Sequence, residues 1–386
     1  MHIDLNSCFA SVEQQANPFL RNKPVAVVHS LAPYGCILAP SVEAKLWGVK
    51  TGMTLGEGRE LCPFLLSHVA DPDKYRFVHA QFANLLSCYS SHLIPKSIDE
   101  FCLTLPAKSD SSQIAREIKA RIKSEIGDWL RVSIGVSTNQ FLAKLASDLH
   151  KPDGFDVIDY SNFLTVYDQV TLTDLCGINL RNAARLHRVG VFTVPQFYHA
   201  SPQTLISAFQ SILGRSWHTR LRGYEIDDVQ FGRKSFGQSY VLPRAMELNE
   251  WRPILAKLVT KAARRLRANG FFAQGLHLSL RYADHTHWHT GHQTQTLLFD
   301  DASLISLALS LYHQLAPHKP VKKIAVTCFA LTRDHGQLNY LTSSLKQKSL
   351  VSSLDRLNDK WGSYTVTYGS LLGSEAHVGD AIAFGK

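Results

Sequence analysis

Apolar positions change their period several times along this chain, and each change marks an element. His2-Ile3-Asp4-Leu5 is a short apolar run with polar interruptions, and Asn6 or Ser7 can cap a helix that runs on through Glu13 and Gln14. Lys23-Pro24-Val25-Ala26-Val27-Val28 reads as a strand, Pro33-Tyr34-Gly35 as a turn, and 40–49 as a short helix with Ser41 near its cap and Gly48 near its end. Tyr75, Val78, Phe82 and Leu85 recur at helical spacing within 74–93, and Ile114, Ile118 and Ile122 do so within 113–126. Between them, 101–105 alternates weakly, as a strand does. A strand is predicted over 131–136. Asn139 caps a following helix whose Leu142, Leu145 and Leu149 face inward, which leaves Lys144 and the next loop free. Further on, strands are predicted over 239–242, 275–282 and 323–331, with helices over 251–268 and 302–315. Strands and helices alternating in this way predict an α/β chain of several domains.

Composition narrows the class. A chain of 386 residues suggests two to four domains, and 45% hydrophobic content allows a sizeable core. The net charge of +9 suits a polyanionic partner. No window resembles a membrane span and no charged, apolar leader opens the sequence, so no membrane partner and a cytoplasmic location are expected. The seven cysteines are scattered and never spaced as a metal knuckle, which predicts reduced, mostly buried thiols. The histidine-rich stretch 284–292 lacks any acid or cysteine geometry for a metal and reads as the end of a hairpin.

The most informative short stretch is Ser97-Ile98-Asp99-Glu100-Phe101. Neighbouring side chains of a regular strand point to opposite faces, so Asp99 and Glu100 can share a site only where a turn or strand end lies. Pro95-Lys96 supplies that turn. Crowded carboxylates repel unless a cation lies between them, and a hard divalent ion such as Mg²⁺ with substrate phosphates is the usual solution. Alone, the pair reads more readily as a solvated acidic turn, because short motifs recur by chance. Asp4 adds a third carboxylate at the end of a strand, just before a helix N-terminus whose amides favour phosphate.

Three segments in order carry a resemblance. His2-Ile3-Asp4-Leu5-Asn6-Ser7-Cys8-Phe9-Ala10-Ser11-Val12-Glu13, then Ser97-Ile98-Asp99-Glu100, then 133–148 with Lys151-Pro152-Asp153-Gly154, resemble the motifs of the Y-family, translesion-type DNA polymerases of the DinB/UmuC group. The resemblance implies a right-hand polymerase with palm, small fingers, helical thumb and α/β little finger. The implied parts are palm at 1–14 and 66–165, fingers at 15–65, thumb at 166–230, linker at 231–237, little finger at 238–345 and a tail at 346–386. It implies template-directed addition of dNTPs to a primer 3′ end, error-prone and without proofreading, by a monomer acting on primer-template DNA. Two Mg²⁺ ions, or Mn²⁺ in their place, are implied on Asp4, Asp99, Glu100 and the main-chain carbonyl of Leu5. Ser7, Cys8, Phe9, Lys45 and Lys151 are implied to bind the nucleotide, with Phe9 as steric gate. The family commonly has Tyr and Arg where Val42 and Lys45 stand, and Lys45 lacks the bidentate fork of Arg.

The segment 175–186 resembles a helix-hairpin-helix, whose hairpin amides bind a DNA phosphate without reading bases. Gly177, Asn179 and Arg181 are its candidate contacts, with Asn179 in place of a second Gly and suited to positive φ. The basic residues Lys257, Lys261 and Arg264 of the 251–268 helix form the strongest cationic cluster and are candidates for backbone phosphates. In the tail, Gln347-Lys348-Ser349-Leu350-Val351 loosely resembles a sliding-clamp peptide, while Leu350, Leu354 and Leu357 could equally form one apolar helix face. The competing expectation for the whole chain is a non-catalytic DNA- and clamp-binding accessory with the same fold.

Overall fold

The structure is a computed structural model and describes residues 1–106, 109–227, 232–315, 319–333 and 344–380. The ends of the expected thumb (228–230) and tail (381–386), and the first linker residue, lie outside them. The chain forms two compact units that divide between residues 229 and 230.

The first unit is built on a five-stranded sheet. Its elements in chain order are β1 (His2–Leu5), α1 (Cys8–Ala16), β2 (Val25–Val28), β3 (Ile37–Pro40), α2 (Val42–Leu46), α3 (Leu55–Leu61), β4 (Leu66–Val69), α4 (Pro72–Ser87), β5 (Leu93–Pro95), β6 (Glu100–Leu103), α5 (Ser111–Arg121), β7 (Val132–Ser137), α6 (Gln140–Leu149) and β8 (Phe155–Ile158). The large sheet has the order β5-β6-β1-β7-β8, with β8 parallel to β7 and the other pairs antiparallel. Ile3, Phe82, Phe101, Ile118 and Ile134 lie in its core. The predicted helix over 74–93 is shorter, because β5 takes Leu93–Pro95 into the sheet. A second sheet, β3-β2-β4, lies in the expected fingers segment, with Val28, Ile37, Leu55 and Leu65 buried. Strand β4 pairs with β2, so this sheet extends to Val69, beyond the expected edge at 65.

Short helices follow: α7 (Phe163–Gln169), α8 (Leu180–His187), α9 (Val194–His199), α10 (Pro202–Phe209) and α11 (Leu213–Arg220). Each of α8, α9 and α10 starts on a side-chain cap, from Asn179, Thr193 and Ser201. Their core of Leu186, Phe197, Leu205 and Trp217 is continuous with Phe141, Leu142 and Leu145 of α6.

The second unit contains β9 (Ser235–Met246), α12 (Leu248–Ala268), β10 (Phe271–Tyr282), β11 (His287–Leu298), α13 (Asp301–Leu315), β12 (Val321–Arg333) and α14 (Ser344–Trp361). Its sheet runs β11-β10-β12-β9, all antiparallel, with α12 and α13 packed on it. The histidine-rich stretch is the turn of a hairpin and the first half of its second strand, as its alternation predicts. The strand starts at Ser235, which shortens the expected linker.

The expected tail is a layer of this unit. Leu371 and Val378 are buried in its core, and Asn358 exchanges two hydrogen bonds with the backbone of Val366, holding the chain after α14 in a turn. All seven cysteines are free, and Cys8, Cys62, Cys102 and Cys328 are buried. Among the described residues, no helix is long and apolar enough to cross a membrane.

Candidate active site

The carboxylates meet because of register. In the β1–β6 pair, Asp4 stands directly opposite Glu100. Cross-strand partners share a face, so both side chains project to the same side of the sheet. Asp99 lies in the bend before β6, where the N–H groups of Lys96 and Ser97 both donate to the Glu100 carbonyl (2.8 and 3.3 Å). The expected strand end is therefore present, and it lets adjacent acids reach one cavity. Leu5 donates its N–H to the Asp99 carbonyl (2.9 Å), and the Ser97 hydroxyl donates to the Asp99 carboxylate.

A cavity of about 510 Å³ opens over these groups. Asp4, Leu5, Asn6, Ser7, Cys8, Phe9, Asp99, Glu100, Lys45, Lys144 and Lys151 line it, together with Val42 and Leu46 of α2. Every residue expected at the catalytic, metal and nucleotide sites is brought together here. Ser7 caps α1 with left-handed backbone (φ 50°, ψ 42°) and no side-chain cap bond, while its buried hydroxyl has no partner among the described residues. Such strain persists where the surroundings enforce it, commonly at functional sites. The first residues of α1 thus line the cavity, and no side chain caps the helix.

Helix α6 delivers a lysine to the acids. Its approach depends on Gly135 of β7: a Cβ there would lie 2.0 Å from the Ala143 carbonyl oxygen. Lys144 of α6, expected to be free, instead places its Nζ 2.5 Å from Asp4, 2.7 Å from Glu100 and 3.0 Å from Asp148. Lys151 Nζ lies 2.7 Å from both Asp4 and Asp148. Burial by itself would raise the Asp4 carboxyl, but the two ammonium groups outweigh it and hold Asp4 below the ordinary carboxylate range. Burial raises Glu100, against the pull of Lys144.

His2, two positions before Asp4 on the same face of β1, is buried and its ring nitrogens have no hydrogen-bond partner among the described residues. Burial and then Lys144 push it down to about 3, so it is neutral near pH 7. Donor atoms of His2, Asp4 and Glu100 all lie within 4.8 Å of one another. Two hard carboxylate oxygens at this spacing suit a divalent cation such as Mg²⁺. The donor set therefore fits the expected ion.

Several contributors escaped the sequence reading. Phe9 is 4% exposed and its ring stacks on Tyr75 with centroids 4.4 Å apart. The Tyr75 hydroxyl donates to Glu13 (2.8 Å), whose other oxygen accepts from Lys74 (2.7 Å). Nothing local to Phe9 signals a partner 66 positions away. Asn6 donates to Ser133 Oγ (3.0 Å) and accepts the N–H of Asp153 (2.8 Å), tying the Lys151 loop to β1. Asp148 lay inside the third motif, and its i,i+4 spacing from Lys144 was the available signal.

The candidate DNA contacts fare unevenly. Gly177 has the positive φ (95°) of the hairpin and Arg181 is exposed. Asn179 does not take positive φ. It is extended (φ −85°, ψ 175°) and its side chain accepts the N–H of Asn182 as the α8 cap. The basic helix α12 needs a larger correction. Lys257 is 7% exposed and donates to the carbonyls of Ser374 (2.9 Å), Glu375 (3.3 Å) and His377 (2.6 Å). Lys261 donates to the Gly379 carbonyl (2.9 Å), and Arg264 to Asp359 (2.7 Å). Arg267 forms a bidentate pair with Asp355 (2.7 and 2.9 Å). These cations hold the C-terminal layer in place, because its acids and carbonyls reach them before solvent does.

The clamp-like segment is also engaged differently: it lies in α14, and Val351 is buried at 3% exposure. Leu350 and Leu357 are exposed, since the Asp355–Arg267 pair and Asn358 set the helix phase. Arg281 and Lys323 stand opposite each other in register on β10 and β12.

Comparison with known proteins adds the family. A model described as the impB/mucB/samB family matches residues 3–148, and that of its C-terminal domain matches residues 233–340. The chain is similar to DNA polymerase IV of Pelotomaculum thermopropionicum, 30% identical over 378 residues that cover 94% of this chain and 92% of the relative. DNA polymerase IV of Moorella thermoacetica is 31% identical over 373 residues, covering 93% and 92%. DNA polymerase IV 1 of Bacillus subtilis is 28% identical over 402 residues, covering 100% and 96%. Among solved structures, a Y-family DNA polymerase chimera built on Dbh matches with TM-score 0.75 and 21% identity, covering 86% of this chain and 98% of that one. An insertion ternary complex of Dbh DNA polymerase matches with TM-score 0.61 and 21% identity, covering 85% and 97%.

Proposed function

The chain belongs to the impB/mucB/samB family, the Y-family of DNA polymerases, and from that premise we infer that its cavity adds deoxynucleotides to a primer 3′ end opposite a template, in the error-prone, translesion manner. The observation that carries this reading is the Asp4–Glu100 cross-strand pair, with Asp99 at the adjoining bend, beneath the open N-terminus of α1.

Two divalent ions, Mg²⁺ or Mn²⁺ in its place, would be held by Asp4, Asp99, Glu100 and the Leu5 carbonyl, where they supply activation of the primer hydroxyl and neutralisation of the triphosphate. The chain's own groups do the rest. Amides at Ser7, Cys8 and Phe9 face the triphosphate and are favoured by the helix dipole. Lys45 and Lys151 add point charges to it. Val42 offers no hydrogen bond, so Lys151 carries much of this contact. Phe9, backed by Tyr75, presses on the sugar and excludes a 2′-hydroxyl by overlap. Asn6 keeps the Lys151 loop at the cavity.

For primer-template DNA, Gly177, Asn179 and Arg181 offer backbone contacts in the thumb. In the second unit, Arg281 and Lys323 replace Lys257, Lys261 and Arg264 as the candidates for phosphate. The clamp remains a partner to be tested, and its docking through residues 347–351 would require α14 to unwind there. The intact carboxylate set disfavours the accessory reading.

Primer extension with Mg²⁺ and dNTPs tests the proposal. Wild type is expected to extend, while Asp99→Ala and Glu100→Ala bind the primed DNA and do not. Equal extension by wild type and both variants would refute the assignment.

A further inference from the structure

Two of the three carboxylates expected to hold ions, Asp4 and Glu100, already contact cations of the chain itself. Asp4 Oδ2 contacts both Lys144 and Lys151, and Glu100 contacts Lys144. Asp148 also contacts both lysines and lies at the more open edge of the cluster, 34% exposed against 8% for Asp4. Lys144 and Asp148 are one helical turn apart on α6, so Lys144 can keep Asp148 while its Nζ leaves the other two acids. Asp148 is at present shared, because Lys151 occupies the same oxygen, Oδ1.

We propose that Asp148 couples nucleotide arrival to ion capture. Lys151 leaves Asp148 for the incoming triphosphate. Asp148 then takes Lys144 off Asp4 and Glu100, and those carboxylates open to a divalent cation. Lys144 is the internal competitor for the ion site, and Asp148 is a positioning residue that acts through it. This inference rests on the reading of Asp4 and Glu100 as ion ligands. It orders the events: the site resists ions until a polyphosphate draws Lys151 away.

The test is Mn²⁺ affinity of the purified full chain, read as loss of the free-ion EPR signal, without DNA or nucleotide. Lys144→Met removes the competitor and is expected to tighten Mn²⁺ binding roughly tenfold. Lys151→Met, at a more exposed position, should mimic the nucleotide and tighten it by several-fold, on the scale of coupled neighbouring sites. That second gain should vanish when combined with Asp148→Asn, because Lys144 then has no acceptor to move to. A gain from Lys151→Met that persists in the Asp148→Asn background would reveal simple charge removal and overturn the coupling. Mn²⁺ binding by wild type with no tightening in either lysine variant would overturn it too, and leave the ion-site reading standing. No Mn²⁺ binding in any of the proteins would overturn both.

Discussion

Lys257 separates two accounts of the basic helix α12. As a DNA contact it should sit in solvent, yet its ammonium is buried and donates to three carbonyls of residues 374–377, with the Tyr364 ring centroid 5.1 Å away. Lys257→Met keeps most of the stem volume, so the packing loss is small. What disappears is one buried cation and its bonds. Hydrogen bonds to charged groups contribute about 1.5–3 kcal/mol each. Three on one ammonium do not add fully, so together they contribute about 3–5 kcal/mol. For a unit of this size each kcal/mol moves the midpoint by about 2–4 °C, so the second unit should melt roughly 6–20 °C lower.

The assay pairs thermal melting with DNA binding measured across a salt series well below the transition. Each lost phosphate contact would reduce the slope of log K against log salt by about 0.9. The structure predicts the lower melting point, faster proteolysis within 362–380 and an unchanged slope. An unchanged melting point together with a slope smaller by about 0.9 would instead make Lys257 a DNA contact. Arg281→Ala, on β10, is the contrasting variant: it should reduce the slope and leave the melting point alone.

Other predictions follow from the first unit. His2 titrates near 6.5 when unfolded and at about 3 when folded, so the unfolded chain binds the extra proton between those values. Its contribution to stability is full above pH 6.5 and falls by about 1.4 kcal/mol per pH unit as the pH drops towards 3; His2→Asn should flatten this acid limb in urea titrations, and an unchanged limb would count against it. Asn6→Ala frees the Lys151 loop and should raise KM for dNTP roughly tenfold, the size expected for one or two lost hydrogen bonds, with primer affinity unchanged. Tyr75→Phe removes only the bond to Glu13 and should cost about 1 kcal/mol of stability without admitting ribonucleotides. Phe9→Ala should admit them, as measured by ribonucleotide incorporation on the same template.

Much of this molecule follows from local sequence. Period and capping chemistry act over three or four residues, so Ser41 and Asn139 cap the helices predicted for them, and the bend before Glu100 appears where two adjacent acids require it. The ordered motifs likewise identified Asp4, Asp99, Glu100, Phe9 and Lys151 as one set before any of them was placed in space. Tertiary structure decided which partner each charge takes. Only the β1–β6 register sets Asp4 against Glu100, and only the close packing of α6 on Gly135 brings Lys144 to both. Lys257 and Arg264 read as contacts for DNA phosphate because their acceptors lie about a hundred residues downstream, and no local pattern encodes which distant groups will fold back over them. A charge in sequence has only a sign. Its role follows from burial and from the nearest opposite charge, and both are fixed when the chain closes on itself.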